Sequence, residues 1–217
     1  MKKIVIFDLD GTLSDSISSM KYCADRALAA VGLGPFTEDE YKIFVGDGAE
    51  TLIERALTAA GDTGWKYKDV VYPLYLKYFA KDCMYGVKPY DEIPELIAKL
   101  KEQGIRIAVL SNKPHLQTID VIVSLFGEGC FDCILGQRDG YPVKPDPCGV
   151  FEILRQMKLK PEDVLYLGDT ATDMKTGKAA GAFTVGALWG FRDRKELENG
   201  GADVVISHPL EVLDYLA

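Results

Sequence analysis

The sequence predicts an α/β fold, a Rossmann-like parallel sheet with helices on both faces plus a smaller all-helical domain. Short β-branched runs alternate with helix-length segments along most of the chain, as in sheets that are buried on both faces. Residues 15–85 break this alternation with amphipathic segments only. A chain of 217 residues is long enough for one core domain and a small companion.

Six apolar runs have the length and composition of buried strands. The first, residues 3–8, is β-branched and too short for a helix. The others are residues 105–110, 131–136, 163–168, 182–187 and 203–206. Ligands of parallel sheets bind beyond the carboxyl ends of the strands, so the polar residues that follow these runs are site candidates.

Helices are predicted between these strands. Residues 95–104 place Leu96, Ile97 and Leu100 on one face and end at Gly104, a residue suited to a helix C-cap. A second helix begins at Pro114 and stops at Gly127. Two more are expected at residues 148–157 and 171–180.

The helical block contains three segments with apolar residues at helical spacing, at residues 17–31, 49–60 and 66–82. Pro73 predicts a break or a start within the third segment. We therefore expect an α/β core at residues 1–14 and 86–217 and a helical cap at residues 15–85. A domain inserted directly after a strand end would sit over that end as a lid.

Charge and cysteine content narrow the partners and the compartment. The net charge of -8 and a pI near 4.9 weigh against nucleic acid, and no run approaches the roughly 18 apolar residues of a membrane span. Cys130 and Cys133 form a C-x-x-C that could be a redox pair or half of a zinc site. No second pair and no nearby histidine completes a metal set, so reduced cysteines and a cytoplasmic location are favoured.

Polar side chains that could carry chemistry follow several strands. They are Asp8 and Asp10, Ser111, Asn112 and Lys113, Lys144, and Asp169 and Asp173. Several carboxylates cannot share a small space ionised without a cation, and oxygen ligands suit Mg2+. Hydroxyl, amide and lysine donors, with the N–H groups of Gly11 and Thr12, suit phosphate. Together they predict phosphoryl transfer through an aspartyl-phosphate.

Each of these pieces also has an ordinary structural interpretation. Asp-x-Asp-Gly is often a turn, and Ser111-Asn112 could cap the following helix. Lys144 could be solvated, and Gly168-Asp169-Thr170 could cap a helix. Their joint position, always after a strand and at one edge of the sheet, favours a site.

These motifs resemble those of the haloacid dehalogenase superfamily over nearly the whole chain. DLDGT (8–12) is similar to its first motif, Ser111 to its second, Lys144 to its third and GDTATD (168–173) to its fourth. The helical block is similar to that family's cap between the first two motifs. The resemblance therefore implies a phosphohydrolase with a cap.

The resemblance also implies a role for each residue. Asp8 would be the nucleophile and Asp10 the general acid and base. Asp8, Asp169 and the backbone carbonyl of Asp10 would hold Mg2+, and Asp173 would act through metal-bound waters. Ser111, the amide of Asn112 and Lys144 would bind the phosphoryl oxygens.

Departures from the family's other branches narrow the reaction. Dehalogenases lack the second aspartate of the first motif, which Asp10 supplies here. The β-phosphoglucomutase branch usually has a cap histidine where this chain has Met20, so a mutase is disfavoured. Pyrophosphatases share much of the pattern and stay open, and a phospho-aspartate signalling module is a remote alternative.

The pattern resembles the phosphoglycolate phosphatase-like group most. A small phosphorylated metabolite is the expected partner, and the protein is expected to be a monomer or a homodimer. The cap loop with Asp47 and Gly48 is expected to point into the site as a specificity loop. Arg55, further along the same helix, could meet a substrate carboxylate. Trp189, Phe191 and Arg192 could border the cap.

Overall fold

The computed structural model describes residues 1–217. Its strands, in chain order, are β1 (Ile4–Phe7), β2 (Ser14–Asp15), β3 (Lys88–Pro89), β4 (Arg106–Pro114), β5 (Cys133–Gln137), β6 (Val164–Gly168), β7 (Phe183–Ala187) and β8 (Val204–Ile206). Six of them form one parallel sheet in the order β5-β4-β1-β6-β7-β8. All six predicted strands are present, and the predicted α/β fold with a parallel sheet is confirmed.

Nine α-helices accompany the strands. They are α1 (Ile17–Ala29), α2 (Glu38–Phe44), α3 (Ala49–Ala59), α4 (Lys68–Asp82), α5 (Ile93–Glu102), α6 (His115–Phe126), α7 (Cys148–Met157), α8 (Ala171–Ala179) and α9 (Arg194–Gly200). A 3-10 helix, Pro209–Tyr215, follows β8. None of the helices combines the length and the apolar character that crossing a bilayer requires.

The strand β1 lies at the centre of the core. Val5 and Phe7 pack in the cluster that contains residues of α5 and α6, and Ile4 and Ile6 pack in the cluster of α7. All four side chains are fully buried. Because helices cover both faces of the sheet, the strand is a continuous apolar run instead of an alternating one.

The four helices α1 to α4, residues 17–82, form what we call the helical insert. They follow β2 and precede β3, which pair antiparallel with Ser14 opposite Pro89 and Asp15 opposite Lys88. The chain therefore leaves the core and returns to it at neighbouring points. Helix α1 packs against α4, and α3 packs against α4 as well.

Two expectations for the insert need correction. The predicted break at Pro73 is wrong, because α4 runs without interruption from Lys68 to Asp82. Val71, Tyr75 and Phe79 lie four residues apart and are all buried, and this packing outweighs the one backbone hydrogen bond that proline removes. Helix α2 was not predicted, although Thr37 and Glu40 form the capping box that begins it.

The cysteines form no disulfide bonds in the structure. All five are free. Cys133 is the first residue of β5, and Cys130 is half-buried in the preceding loop. The reduced state of these cysteines stays a prediction.

Candidate active site

The predicted polar residues gather at the carboxyl ends of three neighbouring strands. Asp8 follows β1, Ser111 lies in the last part of β4 and Asp169 follows β6. Strand β1 lies between β4 and β6, so these ends are adjacent. Lys144 reaches the same place from the loop between β5 and α7. All four side chains are buried.

Three carboxylates form a compact acidic cluster, which consists of Asp8, Asp169 and Asp173. Each offers an oxygen, and these oxygens lie within 4.8 Å of one another. Asp173 is fixed by the capping box of α8, where its Oδ2 accepts a 2.6 Å hydrogen bond from the hydroxyl of Thr170. Asp169 accepts hydrogen bonds from the hydroxyl of Thr12 at 2.9 Å and from the N–H of Phe191 at 2.8 Å.

Lys144 is the one cation inside this cluster. Its Nζ lies 2.8 Å from Oδ1 of Asp8 and 2.6 Å from Oδ1 of Asp173. The side chain of Asn112 holds the lysine backbone from both sides. It accepts from the N–H of Lys144 at 2.8 Å and donates to the carbonyl oxygen of Lys144 at 3.1 Å. Asn112 therefore also positions the lysine, a contact that the sequence did not indicate.

Burial and mutual repulsion shift the protonation of the cluster. Burial, with a further contribution from Asp173, raises the pKa of Asp8 to about 7, although Lys144 opposes the shift. Burial and the charges of Asp173 and Asp8 also hold the pKa of Asp169 well above its usual range. Burial disfavours the charge of Lys144, but Asp173 and Asp8 outweigh it and raise the lysine pKa. The ionised cluster thus needs more positive charge than Lys144 supplies.

The residues of the cluster fit a divalent cation. Three ionised carboxylates against one ammonium would leave two negative charges in a buried space. The donor atoms are all oxygens, which hard cations prefer over nitrogen or sulfur ligands. Asp8, Asp169 and Asp173 could therefore hold a divalent cation.

Asp10 has a separate environment from Asp8. Its Oδ1 accepts 2.6 Å hydrogen bonds from the hydroxyl of Ser16 and from the ammonium group of Lys113. Its Oδ2 has no hydrogen-bond partner within the chain. The carboxylate lines the cavity beside the cluster without belonging to it, so two aspartates in one motif have different surroundings.

The predicted anion donors of the first loop need correction. The N–H of Gly11 donates to the carbonyl oxygen of Ser14 at 2.9 Å, and the N–H of Thr12 donates to that of Leu9 at 3.3 Å. Gly11 takes a positive φ of 86° to make this turn. Both amides are therefore used within the loop, and the Thr12 hydroxyl serves Asp169.

A small cavity separates this edge of the sheet from the helical insert. Its volume is about 40 Å³, room for about three water molecules at the 10–15 Å³ that each requires. The core side contributes polar residues, and the insert contributes apolar ones. The lining residues are Asp8, Asp10, Ser111, Asn112, Lys113, Pro114, Lys144 and Phe191 from the core and Met20, Val45, Gly46, Gly48, Ala49, Leu52, Tyr75 and Phe79 from the insert.

The loop between α2 and α3 connects the insert to the core. Oδ1 of Asp47 accepts a 2.6 Å hydrogen bond from Thr172 in α8, and Asn112 donates to the carbonyl oxygen of Gly46 at 3.2 Å. Arg192 donates to the carbonyl oxygen of Val45 at 2.9 Å and to that of Lys42. The loop after β7 therefore does border the insert.

The three cap residues of the predicted specificity loop lie in different places. Gly48 lines the cavity. Arg55 donates to Oδ2 of Asp47 at 2.5 Å and to the carbonyl oxygen of Phe44 at 3.0 Å, and neither Arg55 nor Asp47 lines the cavity. Burial raises the pKa of Asp47, but hydrogen bonds from Thr172 and Arg55 outweigh it, so the pKa lies below its usual value. Asp47 thus engages the Arg55 guanidinium outside the cavity, and a contact of Arg55 with a substrate stays a prediction.

Residues 5–187 match the family model described as haloacid dehalogenase-like hydrolase. The chain belongs to this family. The matched region runs from β1 to β7 and includes the acidic cluster, Lys144 and the helical insert. The family resemblance of the four sequence motifs is confirmed.

Relatives that match along nearly their whole length are phosphatases. A phosphoglycolate phosphatase of Aquifex aeolicus is 31% identical, over 97% of this chain and 95% of the relative. An N-acetylmuramic acid 6-phosphate phosphatase of Pseudomonas aeruginosa is 31% identical, over 99% and 94%. The crystal structure of a candidate phosphoglycolate phosphatase from Lactobacillus delbrueckii subsp. bulgaricus superposes with a TM-score of 0.91 at 26% identity, covering 100% of this chain and 99% of that one. The predicted enzyme class, a phosphatase, is confirmed.

Two residues beside the site were given no role in it from the sequence. Lys113 is one of the polar residues predicted to converge at this edge of the sheet, and its place directly after Ser111 and Asn112 was a usable signal for a role. Ser16 gave none, because its contact with Asp10 depends on how the chain turns between β2 and α1.

Proposed function

We propose that this phosphatase is Mg2+-dependent and hydrolyses a small phosphorylated metabolite, similar to 2-phosphoglycolate, through an aspartyl-phosphate on Asp8. The observation that carries this proposal is the position of Asp8. Its carboxylate is buried at the base of a small cavity, 2.8 Å from Lys144 and within the acidic cluster. A carboxylate, an ammonium group and a set of oxygen ligands are thus in one place, which supports a nucleophile, a counter-charge and a cation site there.

In the first step, a carboxylate oxygen of Asp8 attacks phosphorus and the ester bond breaks. Asp10, in its protonated form, gives its proton to the leaving oxygen, and the alcohol departs. Asp10 then takes a proton from a water molecule that attacks the aspartyl-phosphate, which releases phosphate and restores Asp8. Oδ2 of Asp10 is the atom proposed to carry the proton, because Ser16 and Lys113 occupy Oδ1.

The remaining residues would bind the phosphoryl group and the cation. Ser111, the N–H of Asn112 and Lys144 are proposed to bind the phosphoryl oxygens as negative charge builds up on them. Asp8, Asp169 and the carbonyl of Asp10 are proposed as Mg2+ ligands. Asp173 is proposed to act through metal-bound waters. When bound, Mg2+ would offset the charge of the carboxylates and polarise the phosphoryl group.

We further propose that residues 15–85 act as a cap over a core of residues 1–14 and 86–217. Support comes from the contacts of residues 45–47 with Thr172, Asn112 and Arg192, which seal one side of the cavity. Water exclusion by such a cap would strengthen the electrostatic interactions at phosphorus. The cavity volume of about 40 Å³ favours a small leaving group.

The names of two relatives agree with this substrate class. A phosphoglycolate phosphatase and an N-acetylmuramic acid 6-phosphate phosphatase both act, by name, on phosphorylated acids. We propose a phosphorylated carboxylic acid for this chain as well, and 2-phosphoglycolate as the first compound to test.

Phosphate release with and without Mg2+ tests the proposal. The wild-type protein should hydrolyse an aryl phosphate and 2-phosphoglycolate in Mg2+ and lose this activity in EDTA. Asp8→Asn should lower kcat by at least about 10³-fold, since it removes the nucleophile. Asp214→Asn, at an exposed aspartate without an ion pair, is the matched control and should keep full activity. Full activity of Asp8→Asn would disprove the proposed mechanism.

A further inference from the structure

A second lysine, Lys113, lines the same cavity as Asp8 and Lys144. Its side chain is only 2% exposed. Its Nζ lies 2.6 Å from Oδ1 of Asp10 and 5.0 Å from the ring centre of Phe79, a residue of the helical insert. The ammonium group is thus placed between the core and the insert, where a bound substrate would extend away from phosphorus.

Two lysines line the cavity, and Lys113 is the one that makes no ion pair with the acidic cluster. The only other cation in the lining is Lys144, which binds Asp8 and Asp173. The nearby Arg55 and Arg192 lie outside the lining and donate to other groups of the insert. A negative group at the far end of a substrate would therefore find its one counter-charge in Lys113, whose charge is free of Asp10 when Asp10 carries the proton for the leaving group.

The opposite wall makes such a counter-charge necessary. Met20, Leu52, Tyr75 and Phe79 present a largely apolar surface. An unpaired carboxylate enclosed there would lose its hydration without compensation, at a cost of several kcal/mol. A neutral leaving group would have no such requirement.

Lys113 also has hydrogen-bonding capacity to spare. An ammonium group has three N–H donors, and one of them serves Asp10. Asp10 keeps the hydroxyl of Ser16 as a second donor to the same oxygen. Lys113 can therefore bind another anion while Asp10 remains hydrogen-bonded.

The spacing suits a short substrate. Ser111 and Lys113 are two residues apart in the extended end of β4, which corresponds to about 6–7 Å along a strand. A phosphoryl group at Ser111 and an anion at Lys113 would be separated by a few bonds only.

We propose that Lys113 binds a carboxylate of the substrate and determines the preference for short phosphate esters that carry a second negative group. This inference rests on the proposed phosphatase function and deepens it. It assigns to Lys113 the carboxylate contact that the sequence suggested for Arg55.

The test compares two esters of nearly equal size, 2-phosphoglycolate and its neutral amide, with an aryl phosphate as reference. For the wild-type protein, kcat/KM should be about 10²-fold higher for the acid than for the amide, as a charge-assisted contact in an enclosed site predicts. Lys113→Met should reduce this ratio to within about 3-fold, even if both rates fall because Asp10 loses a partner. Lys113→Arg should retain part of the preference.

Lys21→Met is the matched control, because Lys21 pairs with Asp25 in the insert and does not line the cavity. It should leave the ratio unchanged. An unchanged ratio in Lys113→Met, or a wild-type protein that hydrolyses acid and amide equally well, would overturn the inference. The comparison of acid and amide hydrolysis by the wild-type protein needs no variant, so it tests the inference even if Lys113→Met fails to fold. Hydrolysis of the aryl phosphate tells these results apart from a failure of the phosphatase function itself.

Discussion

Asp8 and Asp10 have different surroundings, and their proposed roles differ accordingly. Asp8 lies among Asp173, Asp169 and Lys144. The single ammonium group of Lys144 is shared with Asp173, so it does not balance the charge of Asp8 alone. Asp10 has its own pair of donors, Ser16 and Lys113. Two chemically identical carboxylates, two residues apart, can thus serve attack and proton transfer separately.

The packing at Gly190 supports the position of Asp169 and leads to a prediction. A Cβ at residue 190 would lie closer than van der Waals contact to the carbonyl oxygen of Gly11 and to the side chain of Asp169. Gly190→Ala should therefore displace one of them. We expect at least a 10-fold lower kcat in Mg2+ and a loss of about 1–3 kcal/mol in the free energy of unfolding.

Gly64→Ala provides the control for this substitution. No atom lies within 4 Å of a Cβ at residue 64, so its stability should stay within about 0.5 kcal/mol of the wild type. Steady-state kinetics and urea denaturation of both variants make the comparison. Wild-type activity in Gly190→Ala would show that the loop after β7 does not position Asp169.

At the scale of elements, the loop between α2 and α3 joins two parts of the molecule that are separate in sequence. Asp47 in this loop binds Thr172 in α8 and Arg55 in α3. Because α8 also presents Asp173 to the cluster, one helix carries both a site residue and a contact with the insert. The hydrogen bond between Thr172 and Asp47 holds the insert and does not touch the acidic cluster. A change in this bond should therefore affect substrate retention more than the chemical step.

Thr172→Val tests this coupling by removing one hydroxyl at nearly constant volume. The lost hydrogen bond to a charged acceptor should weaken the closed arrangement by about 1.5–3 kcal/mol. We expect KM for 2-phosphoglycolate to rise about 10-fold, with kcat within about 3-fold of the wild type. Thr63→Val, at an exposed threonine, should change neither constant. An unchanged KM in Thr172→Val would mean that this contact does not hold the insert in place.

At the scale of the whole molecule, the buried acidic cluster links stability to pH and to cations. Without a divalent cation, the pKa of Asp8 is about 7 in the folded protein, against an ordinary value of 3.8. Between these two values the folded state binds more protons than the unfolded state, so stability should fall as pH rises toward 7. The proposed Mg2+ would stabilise the ionised form when bound and should reverse this loss.

Urea denaturation in EDTA and in saturating Mg2+ checks the linkage. We expect stability in EDTA to be lower at pH 8 than at pH 5, and the gain from Mg2+ to be larger at pH 8. The difference should amount to a few kcal/mol, because each pKa unit corresponds to about 1.4 kcal/mol. Asp8→Asn should reduce the dependence to the part that Asp169 contributes, whereas Asp214→Asn should retain all of it. A gain from Mg2+ that is equal at both pH values would contradict the linkage.

Features that depend on local sequence pattern could be predicted from the sequence. Buried parallel strands give continuous apolar runs, so all six were predictable, and the residues after them converge because the strands are parallel. Helix α2 could have been found from its capping box. Pro73 was misjudged because the burial of Val71, Tyr75 and Phe79, which stabilises α4, depends on tertiary packing.

Contacts between distant segments could not be predicted in the same way. The pairing of Arg55 with Asp47 depends on the path of a loop, and the place of Lys113 depends on how α4 lies over the end of β4. Asn112 holds Lys144 across 32 positions of sequence. Sequence pattern identifies which residues approach the site, but the partners of each one are set by the assembled fold.

The antiparallel pairing of β2 with β3 has a consequence for how this protein can change over evolutionary time. Ser14 lies opposite Pro89, and neighbouring strands are about 5 Å apart, so the inserted helices begin and end almost at one point. A block with ends this close can be lengthened, shortened or exchanged without altering the order of the six core strands. New substrate ranges can thus be acquired by replacing the helices, while the machinery for phosphate chemistry is inherited intact.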